Sequence, residues 1–329
     1  MAMNMKASVI AGPQKSEIAE VPIPVIGDEE VLIRVIVCGV CASELHPWTA
    51  GAGWLEASGQ QPIFGHEPVG VIESVGSRVY GFSVGDRVTG LIQNAFAQYA
   101  KADYRNIVKV PDGLEDIEAI GEPLSCLMSG ADRTPVSLGD SVGIVGAGFM
   151  GLGFLQLMRL KGAGRLIAVD MREESLQHAR KFGADEIYTP QNLPASYKIT
   201  EWSHMEQGIK GVDIAVEATG SQGGLQLAGD MTAVHGALSV VGYHQGNDGV
   251  RSVNMELWNW KAISVINAHE RRAHVHMKQM EAGLKLIQNG LFNMKDMVTH
   301  VYGLDEVDKA YESMKSKPSG FIKAVIKID

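Results

Sequence analysis

The sequence has little cysteine, no surplus of basic residues and no long apolar run, and each absence excludes a class of protein. Three cysteines, Cys38, Cys41 and Cys126, in 329 residues do not make the framework of a secreted disulfide protein. Acidic residues outnumber basic ones by 38 to 29, which leaves no excess charge for binding nucleic acid. No stretch approaches the roughly 18 apolar residues of a membrane span, and the N-terminus lacks a signal-peptide core. We therefore expect a cytoplasmic protein with neither nucleic acid nor membrane as a partner.

The residues that are abundant indicate two globular domains. With 45% hydrophobic and 20% charged residues, the chain is too apolar for disorder, and it is too long for one compact core. Glycine, at 38 residues, is well above its average use. We therefore expect tight turns or places where the backbone approaches a ligand.

Two patterns divide the chain. Up to about Lys109, short β-branched runs separated by turn residues predict a β-rich domain. From Gly139 onward, strand-like runs alternate with helical stretches, which predicts a doubly wound parallel sheet. The expected strands are 141–145, 165–169, 212–216 and 237–241, and the expected crossover helices are 149–161, 173–182 and 222–234. Beyond about Ala268 the alternation stops, which leaves open a return of the last segments to the first domain.

A glycine motif predicts the binding of a dinucleotide. It follows an apolar strand directly and opens a helix: Gly146-Ala147-Gly148-Phe149-Met150-Gly151. In this context Gly146 permits the tight turn, Gly148 admits the pyrophosphate to the backbone, and Gly151 allows close packing of the helix on the sheet. The alternative is that these glycines only allow the turn between a buried strand and a helix and bind no ligand.

Polar residues at the ends of the later strands extend this prediction. Asp170 ends a strand nineteen positions after Gly151, the spacing expected of the residue that binds the adenosine ribose. Its charge favours NAD over NADP, although the nearby Arg172 weakens that inference. Three further residues, Thr219, Gly220 and Gly242, follow strands where the nicotinamide side of a cofactor lies, or are plain turn residues.

The first domain contains a set of metal-ligand residues. Cys41 is followed at a distance by His66 and Glu67, and a thiolate, an imidazole and a carboxylate match the ligands of a catalytic zinc. Taken singly, each has an ordinary structural role, as a small buried side chain, a hydrogen-bonded histidine or a solvated charge. Their occurrence together with a nucleotide-binding pattern favours the metal site.

The motifs resemble those of the zinc-dependent medium-chain dehydrogenases, especially the sorbitol (polyol) and threonine dehydrogenase branch. They are the Cys-x-Ser-x-x-His run from Cys41, the Gly65-His66-Glu67 triplet, the Glu122-Pro123-Leu124-Ser125 run and GxGxxG. The resemblance covers nearly the whole chain. It implies an α/β protein in which a Rossmann domain at 126–268 is inserted into a chaperonin-10 (GroES)-like β-rich catalytic domain at 1–125 and 269–329.

The resemblance also implies the site residues. Cys41, His66 and Glu67 correspond to the protein ligands of one catalytic zinc. Glu122 corresponds to a carboxylate at the metal's remaining position, where it holds a water or binds directly. The resemblance leaves open whether Glu67 or Glu122 is the direct third ligand. Cys38 and Cys126 fall outside the ligand positions.

A proton relay is the second implication. Ser43 matches the hydroxyl that takes the substrate proton, and His46 matches the histidine at the end of the relay. Zinc acts as a Lewis acid on the bound alcohol while hydride passes to the nicotinamide ring. Trp48 and Trp54, close after His46, line the substrate cleft or serve as packing anchors.

Two departures from the family pattern affect these expectations. Glu44 stands where relatives carry an aspartate that supports the metal site, so the hydrogen bond that orients His66 is in doubt. The chain also lacks the four-cysteine lobe of many relatives, which excludes a structural zinc. We expect a homo-oligomer, a dimer or a tetramer, but the missing lobe removes surface that relatives use in assembly.

The leading functional prediction is NAD-dependent oxidation of a secondary hydroxyl in a polyol, cyclitol or sugar. A threonine-type hydroxy amino acid is the nearest alternative substrate. A zinc-free quinone or enone reductase, or a non-catalytic nucleotide-binding protein, are the other readings. The segment 267–272 matches no pattern, and Asn267, His269 and Arg271 either touch substrate or cofactor or form a solvated turn.

Overall fold

The computed structural model describes residues 3–51 and 63–328. They form two compact units, one made of the chain up to Cys126 together with the chain from Arg271 onward, and the other made of Leu127–Glu270. These divisions differ from the predicted ones by one residue at the first junction, 126 against 125, and by two at the second, 270 against 268.

The described residues form strands and helices with the following bounds. The strands are β1 (Asn4–Gly12), β2 (Lys15–Pro22), β3 (Glu30–Gly39), β4 (Glu67–Val75), β5 (Arg87–Gly90), β6 (Tyr99–Asp103), β7 (Ile107–Lys109), β8 (Ser141–Val145), β9 (Arg165–Val169), β10 (Glu186–Tyr188), β11 (Val212–Glu217), β12 (Thr232–Val240), β13 (Ser264–Asn267), β14 (Val298–Gly303) and β15 (Lys323–Lys327). The helices are α1 (Leu45–Ala50), α2 (Gly121–Arg133), α3 (Phe149–Leu160), α4 (Glu173–Lys181), α5 (Trp202–Glu206), α6 (Gln222–Met231), α7 (Met255–Lys261), α8 (Ala273–Gln288) and α9 (Val307–Ser316). None of these helices has the length and apolar character needed to cross a membrane.

The first unit is built on a mainly antiparallel sheet in the order β14-β15-β3-β4-β5-β7, with β6 also paired to β3. Strands β1 and β2 form a separate hairpin sheet. The closing strand β15 pairs with β3, so the last segment of the chain completes the sheet that the first segment begins. Large buried aromatic side chains, among them Trp48, Phe96 and Tyr311, fill the core beside it.

The second unit confirms the predicted doubly wound parallel sheet. Its six strands lie in the order β10-β9-β8-β11-β12-β13, and every neighbouring pair is parallel. The carboxyl ends of five strands lie in one row, which we call the carboxyl edge: Val169, Val145, Glu217, Val240 and Asn267 are paired in register. The residues that follow each strand are therefore gathered along this edge.

The prediction of a helix over 222–234 was wrong at its end. Helix α6 ends at Met231, and β12 begins at the next residue. The last segment, Thr232 to Val234, contains β-branched residues that favour the strand. The Thr232 hydroxyl donates to Ala228 O at 2.8 Å and closes the last helical turn.

A buried lysine also caps this helix end. Lys261 has no exposed surface, and its ammonium group donates to Gly229 O at 2.5 Å and to Thr232 O at 2.8 Å. Burial lowers the pKa of Lys261 to about 8, against an opposing effect of Asp230. The lysine satisfies carbonyls that the end of a helix leaves without intrahelical partners.

We predict that Lys261→Met destabilises the protein by about 1–3 kcal/mol at neutral pH, because buried carbonyls lose their donor. Since the folded pKa lies below the unfolded value of 10.5, the unfolded wild type binds more protons between about pH 8 and pH 10.5. The stability of the wild type relative to the variant therefore rises with pH in this range. Denaturant unfolding of both proteins measures the difference, and a gap that narrows as pH rises contradicts the assignment.

Candidate metal centre and carboxyl edge

Strand pairing brings the predicted metal ligands together. In the antiparallel pair of β3 and β4, Gly39 lies opposite Glu67. The chain reaches Cys41 just after β3, and it passes His66 just before β4. The Sγ of Cys41, a ring nitrogen of His66 and a carboxylate oxygen of Glu67 consequently lie within 4.8 Å of one another.

Two glycines make this arrangement possible. Gly65 has φ +89°, a left-handed conformation that glycine adopts without strain. There is also no space for a side chain, because a Cβ on Gly65 would lie 2.7 Å from Phe96. At Gly39 a Cβ would lie 1.9 Å from Oε2 of Glu67. The Glu67 carboxylate thus lies where any other residue at position 39 would place its side chain.

Glu44 supports His66, and this settles the doubt that its extra methylene raises. Its Oε1 accepts hydrogen bonds from the Gly65 N–H at 2.8 Å and from His66 Nδ1 at 2.9 Å. Its Oε2 accepts a hydrogen bond from the Tyr311 hydroxyl at 2.8 Å. A carboxylate only accepts, so Nδ1 of His66 carries the proton and Nε2 is left as the ligand atom.

The charge around His66 favours a cation. Burial lowers the pKa of His66, but hydrogen bonds to Cys41 and Glu44 raise it more strongly, to about 12. A site that stabilises a proton on an imidazole in this way also stabilises a metal ion among the same side chains. The thiolate, imidazole and carboxylate donors suit zinc, so the residues fit the group that the sequence predicts.

Lys323 is a residue of this site that sequence reasoning missed. It is 5% exposed, and its ammonium group donates to Glu67 Oε1 at 2.8 Å and to Val40 O at 3.1 Å. The same nitrogen lies 2.6 Å from Glu67 Oε2, but among the described residues Oε2 has no partner with hydrogen-bond geometry. Lys323 therefore forms an ion pair with both oxygens of the Glu67 carboxylate and a hydrogen bond with Oε1.

Glu122 lies near this cluster without joining it at ligand distance. Burial raises the pKa of Glu122, the charge of Glu67 raises it further, and His66 and Lys323 lower it. Cys126 Sγ donates to Glu122 Oε1 at 3.4 Å, and burial raises the pKa of this thiol, as does Glu122. Glu122 therefore interacts with Glu67, His66 and Lys323 through its charge and not as a member of the ligand cluster.

The relay residues occupy different environments. Ser43 is half-buried and its hydroxyl donates to Cys41 Sγ at 3.2 Å, whereas His46, on α1, is exposed. Trp48 is fully buried, and its ring lies 5.2 Å from that of Tyr311, which makes it a packing anchor. Trp54 lies outside the described residues.

The glycine motif occupies the carboxyl edge of the second unit. Gly146 has φ +99°, and a Cβ there would lie 2.7 Å from Thr219. A Cβ on Gly151 would lie 1.8 Å from Gly146 O, whereas a Cβ on Gly148 would meet nothing within 4 Å. Gly146 and Gly151 are therefore required by the fold, while nothing in the fold itself requires a glycine at position 148.

Phe149 and Met150 are the first residues of helix α3, directly after Gly148. Their backbone N–H groups belong to the first turn of the helix, and a first turn leaves its N–H groups without intrahelical acceptors. Asp170 lies beside this turn. Its Oδ2 accepts from the Ala147 N–H at 2.8 Å and its Oδ1 from the Arg172 N–H at 2.9 Å. The guanidinium Nε of Arg172 is 3.6 Å from Oδ1 of Asp170.

The remaining predicted cofactor residues lie further along the same edge. Thr219 and Gly220 follow β11, and Gly242 follows β12, with a Gly242 Cβ only 2.2 Å from Gly220 N. In the unassigned segment, the Asn267 side chain accepts from the His269 N–H at 3.1 Å, and the His269 ring lies 6.0 Å from that of Tyr243. His269 therefore lies at the edge as well, while Arg271 belongs to the other unit.

Comparison with known proteins places both units in described families. A model of the alcohol dehydrogenase GroES-like domain matches residues 27–112, and a model of zinc-binding dehydrogenases matches residues 150–288. The first match confirms the expected class of the β-rich unit.

Whole-chain relatives extend the comparison. Sorbitol dehydrogenase from Bacillus subtilis (strain 168) is 30% identical over 94% of this chain and 93% of its own length. L-threonine 3-dehydrogenase from Ruegeria pomeroyi is 28% identical over 96% and 98%, respectively. Among solved structures, alcohol dehydrogenase TADH from Thermus sp. ATN1 has a TM-score of 0.81 at 25% identity and covers 99% of this chain and 100% of its own.

The contrast between two glycines gives a prediction. We expect Gly151→Ala to lower the melting temperature of the protein, because the new methyl group overlaps a backbone carbonyl. Gly148→Ala should leave that temperature unchanged and still weaken dinucleotide binding by about tenfold or more, since it obstructs the approach of a pyrophosphate. Melting curves and titration with NADH measure both effects. A Gly148→Ala protein that binds NADH as the wild type does contradicts the prediction.

Proposed function

We propose that this chain, which belongs to the zinc-dependent medium-chain dehydrogenases in their polyol and threonine branch, oxidises a secondary hydroxyl of a polyol, cyclitol or sugar with NAD. As a member of that family it is an NAD(P)-dependent alcohol dehydrogenase. The observation that carries the proposal is the cluster of Cys41, His66 and Glu67 at ligand spacing. We further propose that it acts as a homo-oligomer in the cytoplasm, as expected from the sequence.

Within this proposal Cys41, His66 and Glu67 hold one catalytic zinc. Bound zinc would supply a Lewis acid that lowers the pKa of an alcohol hydroxyl. Glu44 fixes the ring of His66, and Lys323 fixes one oxygen of Glu67. Both supports keep the donor atoms at the distances that a metal requires, which is how residues around a ligand shell act.

Ser43 and His46 move the proton. The Ser43 hydroxyl lies beside Cys41 Sγ, where it can take a proton from a substrate hydroxyl while it gives its own proton onward to His46. His46 is exposed and passes that proton to water. Glu122 holds the water or substrate oxygen next to the ligands.

We assign one zinc to each chain. With three cysteines in all, no four-cysteine site is possible within the chain. In the part of the chain that the structure describes, Cys41, His66 and Glu67 are the one group of three or more such side chains that meets a metal-site spacing.

The polar surroundings support a polyhydroxylated substrate. Ser43, Glu44, His46 and Glu122 surround or flank the ligands, and such groups recognise hydroxyls better than an aliphatic chain. The similarity to sorbitol dehydrogenase supports the same choice. The similarity to L-threonine 3-dehydrogenase makes a hydroxy amino acid the second candidate. The ligand cluster argues against a zinc-free quinone or enone reductase.

The zinc proposal is tested with two cysteines. We expect purified wild type to hold about one zinc per chain and Cys41→Ser to hold almost none. NAD+ reduction should then fall about a thousandfold or more, because several kcal/mol of charge stabilisation are lost. Cys126→Ser is the matched control and should keep both zinc and activity. Metal analysis and NADH formation across polyols, cyclitols, sugars and hydroxy amino acids provide the readouts.

Equal zinc in Cys41→Ser and wild type contradicts the proposed ligand set. Faster turnover of a hydroxy amino acid than of any polyol selects the second candidate. A metal-free wild type that reduces enones with NADPH replaces the proposal with the reductase.

The choice of NAD over NADP depends on Asp170. We expect the wild type to prefer NAD+ in kcat/KM, because a 2′-phosphate at the ribose site would meet the Asp170 carboxylate. Asp170→Asn should shift the ratio toward NADP+ by about tenfold or more. Glu173→Gln removes an exposed carboxylate three residues away and should leave the ratio unchanged. An unaltered ratio in Asp170→Asn shows that Asp170 does not face the ribose.

A further inference from the structure

We propose that Glu217, His244 and Arg251 form a positioning relay that fixes the two loops on one side of the carboxyl edge. The loops are 218–221 after β11 and 241–251 after β12, and we call them the nicotinamide-side loops. By fixing them, the relay sets the affinity for the nicotinamide half of the cofactor. This inference rests on the proposed function, because it takes the binding of NAD at this edge as its starting point.

Glu217 ties the two loops to each other. It is the last residue of β11 and has no exposed surface. Its Oε1 accepts from the Thr219 N–H at 2.7 Å, the Thr219 hydroxyl at 2.6 Å and the Gly220 N–H at 2.8 Å. Its main-chain oxygen accepts from the N–H groups of Val241 at 2.8 Å and Gly242 at 2.9 Å. One residue thus holds the starts of both loops.

His244 extends this hold into the second loop. Its Nε2 lies 2.9 Å from Glu217 Oε2, and Arg251 Nε donates to its Nδ1 at 2.9 Å. A carboxylate only accepts and a guanidinium only donates. The imidazole must therefore be neutral, with its proton on Nε2. In this form it connects the Glu217 carboxylate to the Arg251 guanidinium in one ring orientation.

Arg251 closes the relay on both loops. Besides His244, its guanidinium donates to Gly220 O at 3.2 Å in the first loop. In its own loop it donates to Val250 O at 2.8 Å and to Gly246 O. Gly220 is therefore bound at both of its main-chain groups: its N–H donates to Glu217, and its carbonyl oxygen accepts from Arg251. Through these bonds the network links the first loop to the second.

The conformation of the second loop requires such anchoring. Three consecutive residues, Asn247, Asp248 and Gly249, have φ values of 54°, 50° and 76°. Residues other than glycine adopt this region at a cost, and surrounding contacts must maintain it. Arg251 supplies contacts on each side of the strained residues.

A buried carboxylate is costly unless its hydrogen bonds are complete. The side-chain bonds of Glu217 go to residues of the two loops, and a Cβ on Gly242 would lie 2.5 Å from its Oε2. Thr219, Gly220 and Gly242 are the residues for which the sequence left open a place beside the nicotinamide or a plain turn, and we take the first. The geometry therefore makes Glu217 the centre from which their positions are set.

The test compares two substitutions of one residue. His244→Ala breaks both bonds of the imidazole, whereas the amide of His244→Gln can donate to Glu217 and accept from Arg251. We expect His244→Ala to weaken NADH binding about tenfold or more and to lose the blue shift of bound NADH fluorescence. Binding of ADP-ribose, which lacks nicotinamide, should stay within about twofold of wild type. His244→Gln should restore NADH binding. Arg251→Gln is a second variant, with the same expected loss as His244→Ala.

Three outcomes overturn the proposal. One is NADH binding that is unchanged in both His244→Ala and Arg251→Gln. Another is an equal loss of NADH and ADP-ribose binding, which indicates a general structural role. If the wild type itself binds neither ligand, the proposed function fails together with the relay, and this result is distinguishable from the first two.

Discussion

Negative charge gathered in a buried space is the constraint on which the metal centre depends. Cys41, Glu44 and Glu67 converge around His66, and Glu122 lies close enough for the charge of Glu67 to raise its pKa. Charges removed from water persist only when they are paired or coordinate a metal. Lys323 and the imidazole supply part of the compensation, and we propose that a divalent cation completes it.

The same principle applies at the carboxyl edge of the second unit. Glu217 is a buried charge that binds hydrogen-bond donors of two loops instead of a metal. In the first unit Glu44 likewise accepts from a backbone N–H, that of Gly65, shortly before β4 begins. Rigid strands thus position groups that loops alone would leave mobile, which is the arrangement that precise chemistry requires.

Local patterns in the sequence predicted what local structure determines. The strand, turn and helix around Gly146 and Gly151 follow from neighbouring residues, and the parallel sheet follows from the alternation. The residues Cys41, His66 and Glu67 were recognisable because their types match zinc chemistry. Lys323 and Tyr311 were not, since they lie 256 residues from Glu67 and 267 residues from Glu44 along the chain. Only the pairing of β15 with β3 and the packing of α9 bring them to the site. Nothing in the local sequence around a lysine or a tyrosine indicates that its side chain is buried.

The account stands on a metal bound by one sulfur together with nitrogen and oxygen ligands. X-ray absorption at the zinc edge of the purified protein measures this directly. We predict one sulfur at about 2.3 Å and nitrogen or oxygen neighbours at about 2.0–2.2 Å. A shell without sulfur, or one with two or more sulfurs, contradicts the ligand set on which the mechanism depends.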